Sequence, residues 1–320
     1  MTKVAEVVEA TRASGGKIPE FFIVGHPKSG TTALYEMLRS HPQVFMPDLK
    51  ETLFFDREIH LGLKPGDPQP DTLEEYLALF AEAGQDKRAG EASPSYLRSR
   101  LAAARIAEMQ PDARIIAILR EPASFLRSMH LELLKDHVET EKDFRKAIER
   151  EQRIREQKPL LWYSEERVEY VEQLRRYHAV FPPEQVMVLI YDDFRADNDT
   201  TVTNVLRFLG VDDTVPVTES EANRTVIVRS PRLYEYMRSV YLGRGVSARV
   251  LGSVFKLFTS QRMRHEGLDA FRTRVVYGQP PPPDEALMLE LRRRYKHQVV
   301  ELSEYLGRDL VSLWGYDRLD

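Results

Sequence analysis

The chain of 320 residues contains no cysteine. Disulfides, thiolate nucleophiles and zinc–cysteine centres are therefore outside its chemistry. Net charge is small as well: 46 Lys and Arg against 50 Asp and Glu leave a formal −4. Such a balance does not draw nucleic acid or an anionic membrane surface by bulk electrostatics, although a local basic pocket fits inside it. Long apolar runs are missing too. Ile115–Leu119 and Val186–Tyr191 have the length of strands and fall far short of a membrane span. Met1 to Pro19 alternates charged and small residues without the apolar core of a signal peptide. The chain is thus expected to be cytoplasmic and not inserted in a membrane, with residues 1–18 a flexible lead-in. No pair of histidines has the His-x-x-x-His spacing of a metal site, and no metal is expected.

What is present is a core. Apolar residues make up 42% of the chain, and no Pro/Ser/Gly linker divides it, so one domain over 19–320 is expected. Glu20–Gly25 (EFFIVG) reads as a buried strand, His26–Gly30 as a turn and Thr31–Ser40 as an amphipathic helix. Arg114–Leu119 (RIIAIL) is a second buried strand, followed by a helix that Pro122 opens. Gln185–Tyr191 is a third, followed by a helix ending at Gly210. Strands separated by long helical patterns argue for an α/β fold: a mostly parallel central sheet flanked by helices, a three-layer sandwich. Glu141–Gln157 and Glu165–Phe181 are rich in charge and read as exposed helices. Residues 232–283 form a variable helical segment that ends in the prolines Pro280–Pro283 and is expected to line the acceptor site.

The segment Gly25-His26-Pro27-Lys28-Ser29-Gly30-Thr31-Thr32 carries the chemistry. Its glycine spacing and terminal hydroxyl are those of a Walker A loop, except that the lysine expected after the second glycine is Thr31 and a lysine stands inside the loop at Lys28. Backbone N–H groups at the start of a helix cradle a phosphate, and the Thr31 and Thr32 hydroxyls add donors. An ordinary βα turn rich in small residues is the plain alternative. A strand before and a helix after favour the phosphate.

These residues resemble the PAPS-dependent sulfotransferase family, whose 5′-phosphosulfate loop reads Pro-Lys-Ser/Thr-Gly-Thr-Thr (PAPS is 3′-phosphoadenosine-5′-phosphosulfate). Pro27–Thr32 matches throughout. The family's second signature is an arginine ending a strand and a serine eight residues on, which hold the donor's 3′-phosphate; here they are Arg120 and Ser128. Val188–Gly210 and Leu306–Trp314 are similar to later family segments. The resemblance implies a P-loop-like fold, PAPS as donor and a sulfuryl transfer by in-line displacement. The acceptor is a hydroxyl, less readily an amine, of a sugar, lipid or natural product. Lys28 would then place charge on the departing bridging oxygen.

An acceptor hydroxyl also needs a base. Lys50-Glu51-Thr52-Leu53-Phe54-Phe55-Asp56 is similar to the Lys-Glu-x-x-Phe-Phe segment of heparan-sulfate-type enzymes, which nominates Glu51; a solvated Lys–Glu pair is the plain alternative. His26, inside the donor loop, is its rival; His41 and His60 are weaker candidates. Two positions depart from the family. Glu91-Ala92-Ser93-Pro94-Ser95-Tyr96 has Ala92 where the related segment has lysine, and the basic loop that closes over the nucleotide is missing, so that Arg224 or Arg229 is expected to substitute. Two other readings stay open: a P-loop kinase or NTPase, with Asp192 or Asp193 toward magnesium, and a non-catalytic nucleotide-binding protein. The sequence does not specify the oligomeric state.

Overall fold

The computed structural model describes residues 2–56, 69–136, 138–154, 161–217, 227–228, 277–278 and 280–319. The candidates His60, Arg224 and Arg229 and the stretch 232–274 lie outside the described residues. Two compact units divide the chain: Met1–Leu126, Glu149–Asn223 and Glu285–Asp320 form one, Arg127–Ile148 and Arg224–Asp284 the other.

The first unit is built on a sheet of five parallel strands in the order β2-β3-β1-β4-β5. The strands are β1 (Phe21–Gly25), β2 (Val44–Phe45), β3 (Arg88–Ala92), β4 (Arg114–Leu119) and β5 (Val186–Ile190). The helices are α1 (Lys3–Ala13), α2 (Thr31–Arg39), α3 (Leu73–Ala78), α4 (Ala102–Met109), α5 (Pro122–Lys135), α6 (Phe144–Arg153), α7 (Tyr170–His178), α8 (Tyr191–Ala196), α9 (Asn198–Leu209), α10 (Glu285–Leu306) and α11 (Leu310–Leu313). α5 and α6 each run across the division between the units.

All five β1 residues are buried, as are the five that follow Arg114 in β4. Both faces of a parallel sheet are covered, so its central strands read as continuous apolar runs. On one face Phe21, Ile23, Ile116 and Ile118 pack against Leu34, Tyr35 and Leu38 of α2 and Val202, Val205 and Leu206 of α9. Each such side chain removed from water contributes roughly 1.5–3 kcal/mol. β3, like the two-residue β2, is a strand that periodicity does not reveal. It reads RAGEA because a Cβ on Gly90 would come within 2.1 Å of the Phe21 ring.

Two expectations are corrected. Within the lead-in 1–18, Lys3–Ala13 is helical: the Thr2 side chain accepts the Ala5 N–H, and Val8 is buried. The stretch Glu165–Phe181 is not simply an exposed helix. In α7, Tyr170, Val171, Leu174 and Tyr177 are buried, a helical stripe at spacings of three and four that the charges on the opposite face disguise. In the second unit β6 (Ile227–Val228) pairs antiparallel with β7 (Tyr277–Gly278). Among the described residues, no helix is long and apolar enough to cross a membrane.

Candidate active site

Strand order dictates where a ligand can sit. The chain leaves β1 toward β2 on one side and leaves β4 toward β5 on the other, so a crevice opens between the C-terminal ends of β1 and β4. The Pro27–Thr32 loop follows β1 and Arg120 follows β4. The His26 N–H donates to the Ile118 carbonyl at 2.6 Å, and Arg120 Nη1 donates to the Lys28 carbonyl at 2.8 Å. Two sequence-predicted pieces, ninety-two residues apart, are thus bonded directly.

The loop has the backbone of an anion cradle. Lys28 (φ 61°) and Gly30 (φ 90°) both lie in the left-handed region. For Lys28 that conformation costs roughly 1–2 kcal/mol; Gly30 adopts it without the Cβ penalty. Gly30 is also the N-cap of α2, and no side chain caps that helix. The first N–H groups of α2, from Thr31 on, point out of the helix start toward whatever anion sits there. Ser29 and Thr31 are buried, whereas Pro27, Lys28 and Thr32 are half-buried.

Arg120 is half-buried, with its guanidinium 4.7 Å from the centre of the Tyr191 ring. It forms no ion pair with a carboxylate among the described residues. Its own backbone is fixed: the Arg120 carbonyl accepts the Tyr170 hydroxyl at 2.9 Å. Next to it the buried Glu121 carboxylate accepts the N–H groups of Ala123 and Ser124, at 3.0 and 2.7 Å, and the Tyr316 hydroxyl at 2.5 Å. Ser128, on α5, is buried, and its hydroxyl has no hydrogen-bond partner among the described residues. A donor in that condition suits a ligand oxygen.

Glu51 is exposed at the C-terminal end of β3, where its N–H donates to the Ala92 carbonyl at 3.1 Å and its carboxylate receives Lys50 Nζ at 2.7 Å. His26 occupies a different environment. It is 1% exposed, its ring is edge-on to Phe125 and Tyr170, and Nε2 has no hydrogen-bond partner among the described residues. Burial, and then the nearby positive charge of Arg167, push its pKa down to about 3. A ring held so firmly neutral is a feeble base, and this environment matches a packing role beneath the loop. His41 is structural in its contacts: Nδ1 accepts the Gln43 N–H, and Nε2 lies 2.9 Å from the Asp212 carbonyl. The carboxylates that a kinase reading would turn toward magnesium are engaged, Asp193 with Arg308 and Asp192 with Trp314 Nε1 at 2.9 Å.

Sequence reasoning missed Tyr170, Tyr191, Glu121 and Arg167. Only the apolar spacing of α7 could have signalled the first. Arg167 is 2% exposed, donates Nε–H to the Leu161 carbonyl, lies over Trp162 and has a pKa lowered by burial to about 9.

Comparison with known proteins agrees with this geometry. A sulfotransferase from Alicyclobacillus acidocaldarius superposes with a TM-score of 0.58 at 31% identity, covering 74% of this chain and 96% of that one. Heparan sulfate glucosamine 3-O-sulfotransferase 3A1 of Mus musculus is 37% identical over 129 residues, 38% of this chain and 30% of the mouse protein. The human bifunctional heparan sulfate N-deacetylase/N-sulfotransferase 3 is 28% identical over 211 residues, 61% of this chain and 22% of its own length. The chain therefore spans less than a third of either curated relative. The family model described as the sulfotransferase domain matches residues 19–239, more than half of the sequence, and the chain belongs to that family.

Proposed function

We propose that the chain transfers the sulfuryl group of PAPS to a hydroxyl of a carbohydrate acceptor. The single observation that carries the reading is the bond between Arg120 and the Lys28 carbonyl, which joins a helix-start anion cradle to a guanidinium that pairs with no carboxylate among the described residues. The donor supplies the sulfuryl group and departs as adenosine 3′,5′-bisphosphate. The N–H groups at the start of α2, with the Thr31 and Thr32 hydroxyls, hold its 5′ end, and Lys28 offsets the charge that grows on the bridging oxygen. Arg120 offers a planar fork to the 3′-phosphate, and the Ser128 hydroxyl, without a partner among the described residues, adds a donor. As the acceptor oxygen bonds to sulfur and the bridging S–O bond breaks, Glu51 takes the acceptor proton.

The carbohydrate part of the proposal draws on relatives whose names specify heparan sulfate glucosamine and carbohydrate sulfotransferases. Arg229 as a further donor contact, and 232–283 as an acceptor wall, belong to the same reading. Calorimetric titration tests the donor: adenosine 3′,5′-bisphosphate binds without magnesium, and ADP binds at least tenfold more weakly because it has no 3′-phosphate for Arg120, a difference of about 1.4 kcal/mol. Tighter binding of ATP with magnesium than of the bisphosphate would replace this reading with the kinase one.

A further inference from the structure

Behind Glu51 lies a buried carboxylate to which the proposed reaction gives no part. Glu91, on β3, is 1% exposed, and no Lys, Arg or His pairs with it among the described residues. It is satisfied by hydroxyls instead. Oε1 accepts from Thr52 Oγ1 at 2.7 Å and from Ser93 Oγ at 2.5 Å, and Oε2 accepts from the Tyr76 hydroxyl at 2.5 Å. Burial raises the Glu91 pKa, and the hydroxyl donors pull it back.

Those hydroxyls also hold the loop of the proposed base. The Leu53 N–H donates to Ser93 Oγ at 3.3 Å, the Phe54 N–H to Thr52 Oγ1 at 3.4 Å and the Phe55 N–H to the Tyr96 hydroxyl at 3.3 Å. Tyr96 is in turn 3.0 Å from Thr52 Oγ1. A hydroxyl has one proton to give. Because Thr52 and Ser93 give theirs to Glu91, each is left to accept, and Tyr96 must be the donor toward Thr52. Three successive backbone N–H groups thus find their acceptors among hydroxyls that Glu91 holds, directly for Ser93 and Thr52 and through Thr52 for Tyr96. The residues so held include Leu53 at φ 53°, and Glu51 at φ 60° precedes them.

We propose that Glu91 is a positioning residue for Glu51: as the shared acceptor of the Thr52, Ser93 and Tyr76 hydroxyls it fixes the oxygens that take the N–H groups of 53 and 54, and so aims the base at the acceptor substrate. This rests on the reading of Glu51 as the base. A glutamine in its place would present an NH2 to hydroxyls that need an acceptor, which would reverse part of the network.

The test is steady-state transfer from PAPS to a glucosamine-containing oligosaccharide, together with bisphosphate affinity, for E91Q, T52V and T52S, with E91Q and T52V also placed in an E51Q background. E91Q and T52V should each lower kcat about 10- to 100-fold, as a base misplaced by a fraction of an ångström would. Bisphosphate affinity should stay within about twofold, and T52S, which keeps the hydroxyl, should recover most of the loss. In the E51Q background either change should cost less than about twofold more, since groups that act through one another are not additive. Undiminished further losses in that background would overturn the proposal while leaving Glu51 as base. Wild-type kcat in E51Q itself would remove the base assignment, and the proposal with it. Should E91Q fail to fold, the T52V and T52S pair carries the same test.

Discussion

Arg120 reaches from the end of β4 to donate to the carbonyl of Lys28, and this single bond of 2.8 Å locks the strained residue of the donor loop to the residue assigned to the 3′-phosphate. The two side chains nevertheless meet different parts of the donor. Their replacement should therefore separate. Lys28→Ala removes charge that matters as the bridging oxygen departs, and should lower kcat roughly 100- to 1000-fold, with bisphosphate affinity changed less than tenfold. Arg120→Ala should act on affinity, raising the bisphosphate Kd by about 10- to 150-fold, the worth of one or two charged hydrogen bonds. Titration calorimetry and saturation kinetics on both variants check this; equal losses of affinity with intact turnover would refute the division.

Gly30 gives a second prediction. At φ 90° an alanine pays about 1–2 kcal/mol, and its Cβ would stand 3.0 Å from the Phe194 ring. Gly30→Ala should lower the Tm by several degrees and weaken bisphosphate binding at least tenfold, because the cradle itself is displaced. A variant with native Tm and native affinity would show that the loop does not need this backbone.

His26 links the loop to pH. Its folded pKa of about 3 lies below its unfolded value near 6.5, so the unfolded chain binds the proton first. Stability from this residue is complete above pH 6.5 and is lost as pH falls toward 3, by up to about 1.4 kcal/mol per pH unit. His26→Gln should unfold along a shallower acid limb than the wild type between pH 6 and 4, in urea titrations at fixed pH. Parallel limbs would mean that the histidine protonates within the fold.

Much of this was legible in the chain because two demands left separate marks. Burial on both faces makes β1 and β4 continuous apolar runs, and the proposed phosphate site accounts for Pro27–Thr32 as a loop of glycine, hydroxyls and one lysine. The rest was hidden where tertiary contacts decide. β3 needs Gly90 only because Phe21 lies across it, a relation between residues sixty-nine apart. Tyr170 serves Arg120 from a helix whose charges masked its buried face. Glu91 stood in a recognised segment, but nothing in its neighbours revealed that Thr52 and Tyr76 would converge on it. His26 reads as a candidate base until its burial between Phe125 and Tyr170 is seen.

Sulfuryl transfer from PAPS through Lys28 is open to a direct assay. The protein is incubated with sulfur-35-labelled PAPS, without magnesium, against glucosamine-containing oligosaccharides, phenols and lipid alcohols, with Lys28→Ala in parallel. Label should appear on the oligosaccharide hydroxyls with stoichiometric release of adenosine 3′,5′-bisphosphate, and the variant should lose at least about 99% of the rate, a hundredfold effect. Label on none of the acceptors, or a transfer rate that Lys28→Ala leaves unchanged, would contradict it.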